Sequence, residues 1–266
     1  MQRKYLEAVE YLTLRNSGKR DIGIILGTGL GGLVRDISVT DTIDYSHIPN
    51  FPVSTVESHK GKLIFGELSG KNIVAMQGRF HYYEGYSMQQ VTFPIHIMKA
   101  LGIKYLIASN ACGALNTQFR KTDLMIMTSH INLLYDTPLK KSGPDFSDGR
   151  RFYSRRLIRL AEQTAKECRI GIQKGCYAPV QGPNLETAAE YRMVRRMGGD
   201  TVGMSTIPEV LVANSLGIEC LGLSIITDEG FPDSLKVAEL KDILEAASVA
   251  EPKLTMLIRN LVSKLD

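Results

Sequence analysis

Short aliphatic and β-branched runs alternate along the chain with longer stretches in which apolar residues recur every three or four positions. Short apolar runs bounded by turn residues mark strands, whereas a period near 3.6 marks helices with one packed face. Strands are therefore expected at Ile22–Leu26, Lys62–Glu67, Ile73–Met76, Tyr105–Ser109, Asp123–Thr128, Cys176–Pro179 and Cys220–Ile226. Helices are expected over 3–16, 88–101, 154–168, 186–197, 206–216 and 237–263. Such alternation predicts an α/β fold. The longest irregular stretch, 132–152, carries Pro138, Gly143, Pro144 and Gly149, and a loop that long inside a compact domain is usually functional or mobile. No repeat, low-complexity tract or linker interrupts the pattern, so residues 1–266 are expected to form a single domain.

Composition narrows the class. Apolar residues make up 44% and charged residues 23% of 266 residues, with a net charge of only +4, the ordinary balance of a globular protein. Arg150, Arg151, Arg155, Arg156 and Arg159 lie at helical spacing. They read as a solvated helix face and not as a nucleic-acid footprint. The amphipathic start, with Glu7 and Glu10 among Tyr5, Leu6, Val9 and Leu12, is unlike the apolar core of a signal peptide. No run approaches the ~18 apolar residues of a membrane helix. Cys112, Cys168, Cys176 and Cys220 are scattered without CxxC or histidine pairing, which argues against structural zinc and a disulfide framework. A reduced, cytoplasmic protein is expected.

The densest chemistry is Gln77-Gly78-Arg79-Phe80-His81-Tyr82-Tyr83-Glu84-Gly85, straight after the Ile73–Met76 run. A strand end that delivers a guanidinium and an imidazole to one point suits a small oxyanion; the alternative is an edge strand entering a polar loop. Gly27-Thr28-Gly29-Leu30-Gly31-Gly32 matches the dinucleotide pattern literally. A dinucleotide site also needs a long helix and then an acidic strand end, and Leu33–Ser38 leaves room for a turn or two. A small anion against Thr28 fits better. Ser109-Asn110-Ala111-Cys112-Gly113-Ala114 reads either as further backbone donors for that anion or as close packing of a strand end.

Two helix starts add to this. Thr206 and Glu209 form an S/T-x-x-E capping box, with Ser205 beside helix N–H groups that stabilise phosphate. Glu186 precedes another helix, where it either complements the dipole or meets a ligand. Five strand ends thus terminate in Thr28, Arg79/His81, Asn110/Ala111, Tyr177 and Thr227/Asp228, and ligands of open α/β sheets lie at carboxyl strand ends. With no nucleophile elbow, Walker lysine or metal-ligand spacing, the oxyanion is most economically a phosphate that is itself a reactant.

Taken in order, Gly27–Gly31, Gln77–His81, Tyr83–Tyr86, Gly182-Pro183-x-x-Glu186-Thr187 and Gly203-Met204-Ser205-Thr206-x-Pro208-Glu209 resemble the trimeric purine nucleoside phosphorylase family, over residues 20–262. The resemblance implies a three-layer α/β/α fold with a mixed, partly closed central sheet, and a homotrimer with sites near subunit interfaces. It implies reversible phosphorolysis of purine nucleosides to free base and ribose 1-phosphate, with no cofactor or metal and with phosphate as co-substrate. Thr28, Arg79, His81, Ala111 and Ser205 would bind phosphate, with His59 in the loop that closes over it. Tyr83 and Met204 would line the ribose, and Asn110, Thr227 and Asp228 would complete the nucleoside site. Glu186 would bond the purine, Tyr177 would form part of the base-pocket wall, and His81, Glu186 and Asp228 would serve catalysis. Phe152, in the long loop, resembles the aromatic residue lent to a neighbouring subunit.

Two positions depart from the family pattern. Thr227-Asp228 replaces the usual Thr-Asn, and Leu240 replaces a histidine that reaches the ribose 5′-hydroxyl. Both point toward the related 5′-methylthioadenosine phosphorylases, whereas Glu186 and Gly203-Met204-Ser205 match the nucleoside phosphorylase pattern. A non-catalytic purine or phosphate binder remains a third reading; it would not need Glu186 and Asp228 in one base pocket.

Overall fold

The computed structural model describes residues 2–28, 31–55, 59–140, 152–235 and 238–266. Gly29 and Leu30 of the glycine turn, and Gly143, Pro144, Gly149, Arg150 and Arg151 of the long loop, lie outside them.

Nine strands form one mixed sheet: β1 Ile22–Leu26, β2 Ser38–Asp44, β3 Lys62–Leu68, β4 Lys71–Gln77, β5 Tyr105–Ala114, β6 Leu124–His130, β7 Ile172–Pro179, β8 Thr201–Gly203 and β9 Glu219–Glu229, in the order β2-β3-β4-β1-β5-β8-β7-β6-β9. Because β9 also pairs with β5 in parallel, the strands β5-β8-β7-β6-β9 close on themselves while β2-β3-β4-β1 extend as an open wing. The sheet is therefore partly closed. All five residues of β1 are buried, as the Ile-Gly-Ile-Ile-Leu run requires of a parallel strand covered on both faces.

Among the described residues, seven α-helices cover the sheet: α1 Gln2–Arg15, α2 Met88–Val91, α3 Phe93–Ala100, α4 Arg155–Glu167, α5 Ala188–Arg196, α6 Ile207–Ser215 and α7 Leu240–Val262. Ala8 and Leu12 of α1, Ile95 and Met98 of α3, and Val210 of α6 join one core. Leu157 and Ala161 of α4, with Leu254, Leu257 and Leu261 of α7, join a second. The three-layer expectation holds. Among the described residues no helix is long and apolar enough to cross a membrane. Arg155, Arg156 and Arg159 are exposed on α4, and Arg156 pairs with Glu219 and lies over the Tyr105 ring.

Several boundaries differ from expectation for local reasons. The helix expected over 88–101 is two, broken at Thr92; Pro94, in the first turn of α3, has no N–H with which to continue the α2 ladder. β5 runs on to Ala114 because β9 pairs with it as far as Glu229. β2 carries few apolar residues and sits at the edge, antiparallel to β3, and β8 has three residues; neither produces a periodic signal. Gly31–Asp36 is one short 3-10 helix, so no long helix follows the glycine turn and the dinucleotide reading fails.

Topology creates the site. β1, β4, β5 and β9 are mutually parallel where they pair, so their carboxyl ends share one edge. On one side β5 pairs with β9 along its length; on the other it pairs with β1 as far as Ala108 and with β8 only at Gly113 and Ala114. Between those contacts, Ser109–Cys112 borders a gap in the sheet.

Candidate active site

A cavity of about 340 Å³ fills that gap. At one end stand Thr28, Arg79, His81, Ala111 and Ser205. Arg79 is 1% exposed. Its Nε donates to Glu209 Oε1 at 3.1 Å, and its Nη1 donates to the Ser109 carbonyl at 2.7 Å and to Ser205 Oγ at 3.3 Å. Arg79 Nη2 is buried without a protein partner. Native interiors rarely leave a guanidinium nitrogen orphaned, and this one belongs to a residue that lines the cavity.

The capping box expected at Thr206 and Glu209 does not form. Thr206 has φ +70° and makes no side-chain cap, and Ile207 N–H donates to the Ser205 carbonyl at 2.8 Å. This is a γ-turn centred on a β-branched residue, a strained conformation of the kind concentrated at functional sites. Glu209 is freed to bind Arg79, while Thr206 Oγ1 accepts from Asn110 Nδ2 at 2.8 Å. Asn110 Oδ1 and Glu209 Oε2 are likewise buried without a partner. The S/T-x-x-E spacing hid the role of Glu209, because a capping pair and an arginine partner look alike in sequence.

His59 stands behind the cavity wall. Its Nδ1 lies 2.9 Å from the Arg79 carbonyl and its Nε2 lies 3.3 Å from Thr28 Oγ1. Burial, with the neighbouring His81 ring stacked at 5.1 Å, lowers its pKa to about 4, so it is neutral at pH 7. Gly78, at φ +105°, permits this approach: a Cβ there would lie 2.7 Å from the His59 Cβ. Glu84 Oε1 accepts from the His81 backbone N–H at 2.7 Å and meets His81 Nδ1 at 2.9 Å. Burial alone would raise the Glu84 pKa, but hydrogen bonds from His81 and Thr55 outweigh it and bring the value to about 2. An ionised carboxylate can only accept, so His81 Nδ1 carries a proton and Nε2 is left for a ligand.

At the other end are Glu186, Thr227 and Asp228, with Tyr83, Asn110 and Met204 between. A bulge skips Thr227 between the pairs Cys112↔Ile226 and Gly113↔Asp228 and re-aims the end of β9. Thr227 Oγ1 donates to Asp228 Oδ1 at 2.9 Å. Gly113 admits the carboxylate, since a Cβ would lie 2.7 Å from Asp228 Oδ2. Burial raises the pKa of Asp228 and of Glu186, and Asp228 further raises that of Glu186. Thr187 and Glu190 supply the capping box of α5, so Glu186 is not needed for that role. Leu240, Ala238 and Ile243 give the cavity an apolar wall.

Besides His59, two more expected residues lie off the cavity lining. Tyr177, expected in the base-pocket wall, is fully buried one layer back; its hydroxyl accepts from the Ser205 N–H at 3.2 Å and so holds the α6 entry. Phe152 is absent from its own chain's cavity and packs on His130 at 4.9 Å and against the first core; it therefore has packing partners that the sequence did not suggest.

A family model of the phosphorylase superfamily matches residues 21–263. Purine nucleoside phosphorylase 1 of Bacillus subtilis is 46% identical over 252 residues, covering 92% of each chain. The chain belongs to the purine nucleoside phosphorylases of that superfamily. The bovine purine nucleoside phosphorylase is 40% identical over 98% of this chain and 94% of its own. A schistosomal purine nucleoside phosphorylase solved with hypoxanthine has a TM-score of 0.92 at 37% identity, covering 99% of this chain and 98% of that one. The Schistosoma mansoni enzyme solved with adenosine has a TM-score of 0.91 at 36% identity, with the same coverage.

The Glu84 contacts generate a pH prediction. A carboxylate whose folded pKa of about 2 lies below its ordinary 4.5 stabilises the fold above pH 4.5, and that contribution fades as pH falls toward 2. Glu84→Gln is expected to lose about 1–3 kcal/mol at pH 7 by urea unfolding, with the gap to wild type closing in acid. A gap independent of pH contradicts this assignment.

Proposed function

We propose that this chain catalyses reversible phosphorolysis of purine (deoxy)ribonucleosides, giving free base and (deoxy)ribose 1-phosphate. The observation that carries the reading is one cavity with a partnerless Arg79 nitrogen at one end and the Glu186–Asp228 carboxyl pair at the other. A phosphate binder without catalysis has no need of both.

Phosphate is the co-substrate, held by Arg79 Nη2, Thr28, Ser205, His81 Nε2 and the backbone at Ala111, with His59 supporting Thr28 from behind. The ribose spans Tyr83 and Met204, and the purine meets Glu186, Asn110, Thr227 and Asp228. Breaking the N-glycosidic bond puts positive charge on the sugar and negative charge on the base, in an oxocarbenium-like transition state. The phosphate anion stabilises the first charge and attacks from the opposite face; fixed donors position it without reorganising. Glu186, as a carboxylate, accepts from a purine N1–H. Burial raises the pKa of both carboxyl groups, and in this reading Asp228 is the one that carries the proton and donates it to N7 as charge develops there. The whole chain acts as a single domain, in the cytoplasm, as a homotrimer in which Phe152 completes a neighbour's site.

Asp228 and the Leu240 wall favour a widened substrate range. A protonated Asp228 donates to N7 and accepts from a 6-amino group through its other oxygen, whereas a 6-oxopurine offers that oxygen only another acceptor. Leu240, Ala238 and Ile243 suit an apolar 5′ substituent such as methylthio. The enzyme accordingly turns over 6-aminopurine nucleosides alongside inosine and guanosine.

Arg79→Ala is expected to weaken phosphate by about 1.5–3 kcal/mol, roughly 10- to 150-fold in phosphate KM; an unchanged value removes the anion-site assignment. Asp228→Asn, whose amide still donates to N7, is expected to keep inosine turnover, whereas Asp228→Ala, with neither donor nor acceptor, is expected to lose adenosine turnover. Wild-type enzyme with no detectable activity on adenosine or methylthioadenosine contradicts the widened range. Sedimentation is expected to give a trimer, and a fully active monomer would remove Phe152 from the site.

A further inference from the structure

Glu186 immediately precedes Thr187, the N-cap of α5, and Tyr191 is the fourth residue of that helix. These two positions flank a helix start and commonly hold an apolar pair that packs together across the first turn. Here the pair is polar. The Thr187–Glu190 capping box fixes the turn, with Thr187 Oγ1 donating to Glu190 Oε2 at 2.8 Å and accepting from its N–H at 3.3 Å. Tyr191 N–H donates to the Thr187 carbonyl at 3.0 Å, and the Tyr191 and Glu186 side chains line one cavity.

The ring itself is immobilised. Tyr191 is 2% exposed and packs with Val194, Ala178 and Val202. Gly230, just beyond β9, makes room for it: a Cβ there would lie 2.8 Å from the Tyr191 Cε1. The cavity lined by Tyr191, Glu186 and Asp228 has a volume of about 620 Å³ and shares Leu185, Ala238 and Ile243 with the first.

We infer that Tyr191 is a positioning residue: its hydroxyl donates to one oxygen of Glu186 and thereby presents the other oxygen to the purine. This rests on the reading that Glu186 contacts the base. An unrestrained glutamate carboxylate rotates about a broad terminal torsion, so a donor fixed by packing lowers the cost of ordering it at each turnover. The donation also favours the ionised form of Glu186 against the groups around it. Glu190 on α5 opposes that charge, as Asp228 on β9 does whenever it is ionised; Glu229, Asp242 and Lys121 face the outer cavity. With Glu186 kept as the acceptor, the shared proton stays on Asp228, where it can reach the leaving base.

Tyr191→Phe removes the hydroxyl and keeps the ring. It is expected to raise the inosine KM about ten-fold, to leave the phosphate KM unchanged, and to move the acid limb of kcat/KM to higher pH, because Glu186 loses a donor to its ionised form. A purely packing role for Tyr191 leaves the acid limb in place. An unshifted limb with a wild-type inosine KM overturns the inference. Glu186→Gln separates the two levels: if it has wild-type inosine kinetics, the base contact itself is wrong; if it is impaired while Tyr191→Phe is not, only the role of Tyr191 fails. In the Glu186→Gln background, Tyr191→Phe is expected to add no further loss. Should Tyr191→Phe not fold, Gly230→Ala displaces the same ring and is held to the same KM and pH outcomes.

Discussion

The structure depends on burying the Arg79 guanidinium at the end of β4. A charge that is 1% exposed is tolerated only when paired and hydrogen-bonded, and its partners come from three elements. Glu209 is in the first turn of α6, the Ser109 carbonyl is on β5, and Ser205 closes the γ-turn between β8 and α6. Gly27 keeps β1 out of the way, since a Cβ would lie 2.8 Å from the Ser109 oxygen and 3.4 Å from Arg79 Nη1. Satisfying one cation thus locks the β1, β4, β5 and α6 ends into one rim. The nitrogen left over, Nη2, is what the rim offers to a ligand.

The charge balance of the rim bears on catalysis. Glu209 offsets Arg79, and His59 is neutral at its pKa of about 4. An anion bound there would therefore be met by oriented donors more than by surplus positive charge. Such a site positions phosphate without quenching the negative charge that must stabilise a cationic sugar, so more of the interaction is reserved for the transition state. At the base end the order is reversed: two carboxyl groups with raised pKa values share a half-buried space. Under the proposed function, a leaving purine would require one of them as acceptor and the other as donor.

Strand cores were legible in the sequence because they are continuous apolar runs, and their carboxyl ends named Thr28, Arg79, His81, Asn110 and Asp228 before any contact was known. What was not legible follows from pairing. The extension of β5 to Ala114 depends on β9 lying alongside, and the gap at Ser109–Cys112 depends on where β1 and β8 stop. Polar β2 and three-residue β8 carry no periodicity. Glu209 was read as a cap because its spacing from Thr206 suits one; only the positive φ of Thr206 shows that the cap is refused. Tyr177 was assigned one layer too far forward, since a tyrosine that accepts from a backbone N–H looks in sequence like one that faces substrate. Tyr191 carried no sequence signal of its own; only the fold puts it on the lining of one cavity with Glu186.

In the proposed site, a phosphate oxygen is the partner that Arg79 Nη2 lacks within the protein. A crystal structure of the protein grown with phosphate and hypoxanthine tests this most directly. The expected result is a phosphate oxygen within about 3 Å of Nη2, with Thr28 and Ser205 bonded to the same ion and the purine between Glu186 and Asp228. Nη2 bonded instead to a protein group, with the anion bound away from Arg79, would contradict it.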